Sequence, residues 1–153
     1  MASTYTQLYV HSIFSPKYRE RLLSKEWREE VFKYSNEIIC DLKCKLVSMN
    51  GVEDHVHLLI GLHPTVSVSD AIGKVKSNTS RFINQKYYSD NSFEWQSGYS
   101  AFSISNSHLS RVALYIEQQE EHHKKKSFRS EYFELIKEHD VLFDDRYLFE
   151  FFD

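Results

Sequence analysis

Two cysteines, two prolines and four glycines in 153 residues leave this chain little with which to build a cross-linked or irregular scaffold. Cys40 and Cys44 lack the second Cys or Cys/His pair that would complete a zinc site, so they read as reduced core thiols rather than a metal knuckle or a disulfide framework. Scarce glycine and proline exclude collagen-like and low-complexity chains. Long apolar runs are also missing. None approaches the roughly 18 residues of a membrane span, and Met1 to Tyr9 has neither a basic start nor an apolar stretch, so a cytoplasmic location and no membrane partner are expected. What is present, 41% hydrophobic and 27% charged residues, is the composition of a folded globular protein. The length suits one domain over residues 1–153 with its own core.

The formal charge of -3 does not announce a nucleic-acid binder, but it is unevenly spread. From residue 131 onward eight acids stand against Lys137 and Arg146, a net of -6 that leaves +3 for the rest. An excess of that size permits contact with an anionic partner without demanding one.

The chain alternates between strand-like and helix-like periodicity. Thr4 to Phe14, rich in Tyr, Val, Ile and Thr and closed by Pro16, predicts a strand. Between Lys25 and Leu42 the residues Trp27, Val31, Phe32, Tyr34, Ile38, Ile39 and Leu42 recur at helical spacing, with Ser24 available as N-cap. Lys43–Val52 and His55–Leu62 predict an antiparallel strand pair turning at Asn50-Gly51 or Glu53-Asp54. A helix over Ser67–Tyr88, a strand over Tyr99–Ser105, a helix over Asn106–Lys126 and a shorter one over Ser130–Glu138 complete the series. The order βαββαβ predicts an α+β, ferredoxin-like split βαβ sandwich: an antiparallel sheet with helices mainly on one face, plus helix at the C-terminal end.

Two local arrangements carry chemistry. In Asp54-His55-Val56-His57 the histidines flank one apolar residue in a strand, so they share a face about 6.5 to 7 Å apart along it and are spaced to bind one divalent ion. A histidine-triad hydrolase would place a third histidine two residues beyond His57, where this chain has Leu59. In Tyr115-Ile116-Glu117-Gln118-Gln119-Glu120-Glu121-His122-His123 the pair Tyr115 and Gln119 stands at i and i+4 of a predicted helix and can reach the same ion or substrate. A glutamine oxygen is an acceptable ligand for Mg²⁺ or Mn²⁺, and a tyrosine beside a bound phosphate is a candidate nucleophile. Taken singly, each arrangement is equally well an ordinary strand pair or a packed helix tyrosine. His122 and His123 read as capping or packing residues, and Asp54 as a turn residue able to orient a ligand histidine.

Together, in this order, and with the intervening stretch Trp95 to Ser105, the motifs resemble the single-tyrosine HUH transposases of the IS200-like insertion sequences. The resemblance runs from the first strand to about Tyr132. It implies a metal-dependent enzyme that cuts and rejoins single-stranded DNA at insertion-sequence ends: His55, His57 and Gln119 hold a divalent ion (Mg²⁺ or Mn²⁺), and Tyr115 attacks the phosphate to leave a 5′-phosphotyrosine and a free 3′ hydroxyl. It also implies hairpin-bearing DNA as partner and a homodimer whose active sites are shared between subunits.

For DNA contact the sequence offers Lys74, Lys76, Arg81, Lys86 and the run Lys124, Lys125 and Lys126 for phosphates, with Trp95 or Tyr99 for stacking an unpaired base. Three other readings compete. One is a repeat-associated or domesticated DNA-binding relative that has lost cutting, against which the intact His55, His57, Tyr115 and Gln119 count. The others are an HUH replication initiator or relaxase, usually built on larger domains, and an RNA-binding module, which would put aromatics on the central strands where this chain puts histidines.

Overall fold

A computed structural model describes residues 3–152. Four strands, β1 (Tyr9–Phe14), β2 (Lys45–Val52), β3 (His55–Gly61) and β4 (Ser100–Ile104), form one antiparallel sheet in the order β2-β3-β1-β4. With helices α1 (Arg28–Asp41) and α2 (Val68–Tyr87) as crossovers, this is the ferredoxin-like order the periodicity predicts. β1 and β3 are the central strands, paired from Tyr9–Gly61 to Phe14–Val56.

Alternation along the strands divides the sheet into two unlike faces. Val10 and Phe14 of β1 with Val56, Leu58 and Ile60 of β3 meet Val31, Ile38 and Ile39 of α1 and Ala71, Ile72, Val75 and Ile83 of α2 in the main core. Ser67 caps α2 by accepting a hydrogen bond from the Asp70 N–H at 3.0 Å, as its position before an apolar-periodic run suggests. Ser24 does not cap α1, which begins later than its apolar spacing implied, after Trp27.

The opposite face is not left open. It is roofed by α3 (Leu109–Glu117), α4 (Gln119–His123) and α5 (Phe128–Glu138), and a second cluster of Ile13, Phe102, Phe128, Tyr132, Ile136 and Phe149 fills the space beneath. The last residues return across this cluster. The Gln96 side chain holds them, its Nε2 donating to Glu150 O at 2.9 Å and its Oε1 accepting from Glu150 N at 2.8 Å.

Two boundaries differ from the sequence expectation, and a third falls at one of its two alternatives. The first strand starts at Tyr9 instead of Thr4, because only from there does β3 supply a partner. The β2–β3 turn lies at Glu53-Asp54, while Gly51 belongs to β2, where a Cβ would lie 2.4 Å from His55 O. Glycine at 51 is therefore required by the close approach of two backbones. The expected helix over Asn106–Lys126 is a 3-10 turn (Asn106–His108) followed by α3 and α4, broken at Gln118. The Gln118 N–H is shared between Leu114 O and Tyr115 O at 3.2 and 3.3 Å, and the Gln118 backbone leaves the helical region at φ -98°, ψ 22°.

Candidate active site

β3 delivers His55 and His57 onto the roofed face as neighbours, their rings 5.0 Å apart and both fully buried. Outer partners fix each ring. Asp54 Oδ1, in the turn just before the strand, lies 2.8 Å from His55 Nδ1, and His11 Nε2 of the adjacent strand lies 2.8 Å from His57 Nδ1. With both Nδ1 atoms so engaged, both Nε2 atoms face inward, the arrangement in which an imidazole is ready to ligate an ion.

α3 and α4 bring the other half. Asn50 Nδ2 donates to Glu117 O at 3.1 Å, satisfying a terminal carbonyl of α3, and Ser48 hydroxyl donates to Ala113 O at 3.4 Å, so β2 fastens α3 over the sheet. The buried Arg28 of α1 reaches Glu120 at 2.8 Å and anchors α4. The i, i+4 relation between Tyr115 and Gln119 survives the break at Gln118, and both side chains point to the histidines. Gln119 Oε1 lies 3.2 Å from His55 Nε2, and the Tyr115 ring stands edge-on 5.8 Å from His57. One chain thus brings together all four residues that the sequence singles out.

At their centre is a residue the sequence did not single out. Glu131, in the first turn of α5, is 2% exposed. Its Oε1 lies 3.1 Å from His55 Nε2, 2.9 Å from His57 Nε2 and 3.2 Å from His123 Nε2, while its Oε2 accepts from the Tyr115 hydroxyl and from Gln119 Nε2 at 3.3 Å. His123, read from sequence as a capping or packing residue, also lies 3.1 Å from Gln119 Oε1. Nothing local marked Glu131 or His11, and His123 stood in the tyrosine motif without a role at the ion. Each acts through a partner on another element, and Glu131 was read only as part of an acidic tail.

The electrostatics follow from burial and this grouping. Burial alone would raise the Glu131 carboxyl, but hydrogen bonds from His123, His55 and His57 overcome it and hold the group well below the carboxylate range. Burial lowers His55, yet its bonds to Asp54 and Glu131 outweigh that and raise it to about 9. His57, buried and facing other imidazoles, falls to about 4, and burial likewise lowers His11 well below the ordinary histidine value. The Tyr115 phenol is pushed far above its usual value, first by burial and then by the Glu131 charge.

This donor set fits a divalent cation. His55, His57 and Glu131 each offer a ligand atom, all within 4.8 Å of one another, with the Gln119 amide oxygen alongside. Mixed nitrogen and oxygen donors suit Mn²⁺ and accommodate Mg²⁺. A cleft of about 950 Å³ opens beside the tyrosine, lined by His11, Arg111, Tyr115, His122, Lys125 and Lys126 among others.

The proposed DNA contacts fare differently. Trp95 is buried, its ring against Phe14 and Phe93 and its indole N–H donated to Thr79, so no face remains to stack a base. Lys76 is spent on Gln96 O and Gly98 O at 2.8 and 2.7 Å. Lys74, Arg81 and Lys86 share α2 with it, on the sheet face opposite the histidines. Lys124, Lys125 and Lys126 stand at the end of α4, bordering a second groove formed with Arg28, and the last two also line the tyrosine cleft.

Among the described residues no helix is long and apolar enough to cross a membrane. Residues 4–119 match the family described as transposase IS200 like. The ISDra2 transposase TnpA of Deinococcus radiodurans is 25% identical over 120 residues, 74% of this chain and 84% of that protein. The transposase for insertion sequence element IS200 of Salmonella typhimurium is 26% identical over 121 residues, 74% and 78% of the two chains. Two solved structures share the fold. A Deinococcus radiodurans protein assigned as a transposase superposes with a TM-score of 0.61 at 22% identity, over 78% of this chain and 95% of that one. A REP-associated tyrosine transposase bound to a REP hairpin gives 0.57 at 13%, over 77% and 70%. The HUH strand, the tyrosine helix up to Gln119 and the sheet that joins them all fall within the matched segment, and the chain belongs to the IS200-like transposase family.

Proposed function

We propose that the protein cleaves and rejoins single-stranded DNA through a 5′-phosphotyrosine formed on Tyr115, with a divalent ion held by His55, His57 and Gln119. The observation that carries this reading is the convergence of the Tyr115 hydroxyl and the inward-facing histidines on one buried point. Bound there, Mg²⁺ or Mn²⁺ supplies Lewis-acid polarisation of the scissile phosphate. The chain does the rest. Asp54 and His11 orient the imidazoles, α3 carries the phenol to the cleft, and Glu131 keeps the phenolic proton engaged. Tyr115 oxygen forms the new bond to phosphorus as the bond to the 3′ oxygen breaks; the phenol gives up its proton and the departing 3′ oxygen gains one. The phosphodiester energy stays in the tyrosyl ester, so another 3′ hydroxyl can rejoin the strand without ATP.

Hairpin-bearing DNA is the proposed partner, supported by the family and by the hairpin bound to the REP-associated neighbour. Arg111, Lys125 and Lys126 border the tyrosine cleft and replace the α2 cations as its phosphate contacts. A homodimer is proposed on the family resemblance. The meeting of all four residues in one chain supports in-chain sites, and exchange of α3–α4 between subunits is the competing arrangement.

Incubation with a single-stranded oligonucleotide carrying the element's end hairpin is expected to give an adduct that survives SDS, with the 5′ side of the cut attached. Tyr115→Phe should abolish it while retaining hairpin binding, and EDTA should suppress it. An adduct formed equally by the Phe variant would move the nucleophile elsewhere; a wild-type protein that binds the hairpin but never forms an adduct with either metal would be a DNA-binding relative. Mixing His57→Ala and Tyr115→Phe chains distinguishes the two dimer arrangements, since activity recovers only if helices are exchanged.

A further inference from the structure

We infer that Glu131 is a working part of the active site: one oxygen of its carboxylate is a metal ligand and the other positions the Tyr115 hydroxyl. The inference rests on the reading above and adds a residue from α5, outside the matched segment 4–119.

A carboxylate at 2% exposure is costly to bury and persists only when fully engaged. Structural carboxylates commonly find an arginine or a helix N-terminus. Glu131 stands in the first turn of α5 but has no arginine partner among the described residues, and its side-chain partners are site residues: His55, His57 and His123 on Oε1, Tyr115 and Gln119 on Oε2. The two oxygens are thus divided between the ion's ligands and the nucleophile. A carboxylate is the anionic oxygen ligand that divalent cations favour, and here it stands beside imidazoles whose Nδ1 atoms are already held from behind.

α5 does not depend on Glu131 for its place. Ser127 caps it by accepting from Ser130 N at 3.2 Å, and Phe128, Tyr132 and Ile136 pack it onto Ile13 and Phe102. An isosteric change at 131 therefore removes the charge and leaves the helix seated.

The test compares wild type with Glu131→Gln and Glu131→Asp for Mn²⁺ affinity by calorimetry, for the visible absorption of bound Co²⁺, for hairpin binding, and for adduct yield at saturating Mn²⁺. For Glu131→Gln we expect unchanged hairpin binding, Mn²⁺ affinity lower by about 10–100-fold, a shifted Co²⁺ band and adduct formation at least tenfold slower even with the ion saturating. Glu131→Asp should recover metal affinity more than adduct rate, because the shortened side chain no longer reaches both groups. Wild-type Mn²⁺ affinity and Co²⁺ spectrum in Glu131→Gln would overturn the ligand role. A wild-type adduct rate at saturating Mn²⁺ would overturn the positioning role, with the transposase reading intact in either case. If Glu131→Gln fails to fold, the Asp variant decides on the same readouts. A wild-type protein that binds Mn²⁺ but forms no adduct would sink the proposed function, and the positioning role with it.

Discussion

Val56, Leu58 and Ile60 point from β3 toward α1 and α2, whereas His55 and His57 point from the same strand toward α3–α5. On the first face burial is achieved with aliphatic side chains that need only fill space. On the second the imidazoles of His11, His55 and His57, the Gln119 amide and the Glu131 carboxylate are equally buried, with the half-buried Tyr115 phenol and His123 at their edge, each satisfied by another. One strand thus carries a stability face and a chemistry face one residue out of step, and a mutation's consequence depends on which it lands on.

The largest contrast should come from paired truncations. His57→Ala is expected to remove adduct formation altogether while the fold remains, since the second hydrophobic cluster lies beside it. Ile72→Ala on the opposite face should lower unfolding free energy by about 2–5 kcal/mol and leave the native fraction fully active. Urea melts with adduct assays on both variants check this, and inactivity of folded Ile72→Ala would erase the distinction.

Gly51→Ala tests the backbone of β3 that carries both faces. The added Cβ meets His55 backbone, so β3 must shift; we expect a loss of about 1–3 kcal/mol together with weaker Mn²⁺ binding. A stability loss without any metal effect would mean the histidines move as a rigid unit.

A smaller effect is expected from pH. His57 and His11 are both held below the ordinary histidine value, so their stabilisation is complete above 6.5 and is lost as pH falls, for His57 through about 4. His55 is raised to about 9, so its contribution is complete below 6.5 and is lost as pH rises through 9. The ion-free protein should therefore be most stable near pH 6.5 in thermal melts, and His55→Gln should flatten the alkaline limb.

How much of this was legible in the sequence depended on distance along the chain. The apolar periodicities of Lys25–Leu42 and Ser67–Tyr88 located α1 and α2 to within a few residues, because packing demands are local to each helix. His55 with His57 were visible because they lie within one strand, and Tyr115 with Gln119 because only four residues separate them, across the break between α3 and α4. His11, His123 and Glu131 were not, since their roles exist only once β1, α4 and α5 lie against β3. Trp95 was ambiguous for the opposite reason: an aromatic in a polar loop suits a stacking surface or the core equally, and the Pro16–Trp95 bridge folds the loop back into the core.

The least effect is predicted at Trp95 and at the border of the tyrosine cleft. Trp95→Phe should cost about 1 kcal/mol through the lost hydrogen bond to Thr79 and leave hairpin affinity unchanged. Lys125→Ala should lower the salt dependence of hairpin binding by about one contact. Salt titrations of both variants suffice, and a changed affinity in Trp95→Phe would restore that residue to the interface.

The amide of Gln96 reads residue 150 only through its main chain, donating to the carbonyl and accepting from the N–H, while the Glu150 side chain is exposed. Such a clasp is indifferent to the identity of what it holds. Any residue with an amide hydrogen satisfies it and proline alone cannot, so substitutions at position 150 other than proline should leave the clasp closed, whereas those at position 96 should open it.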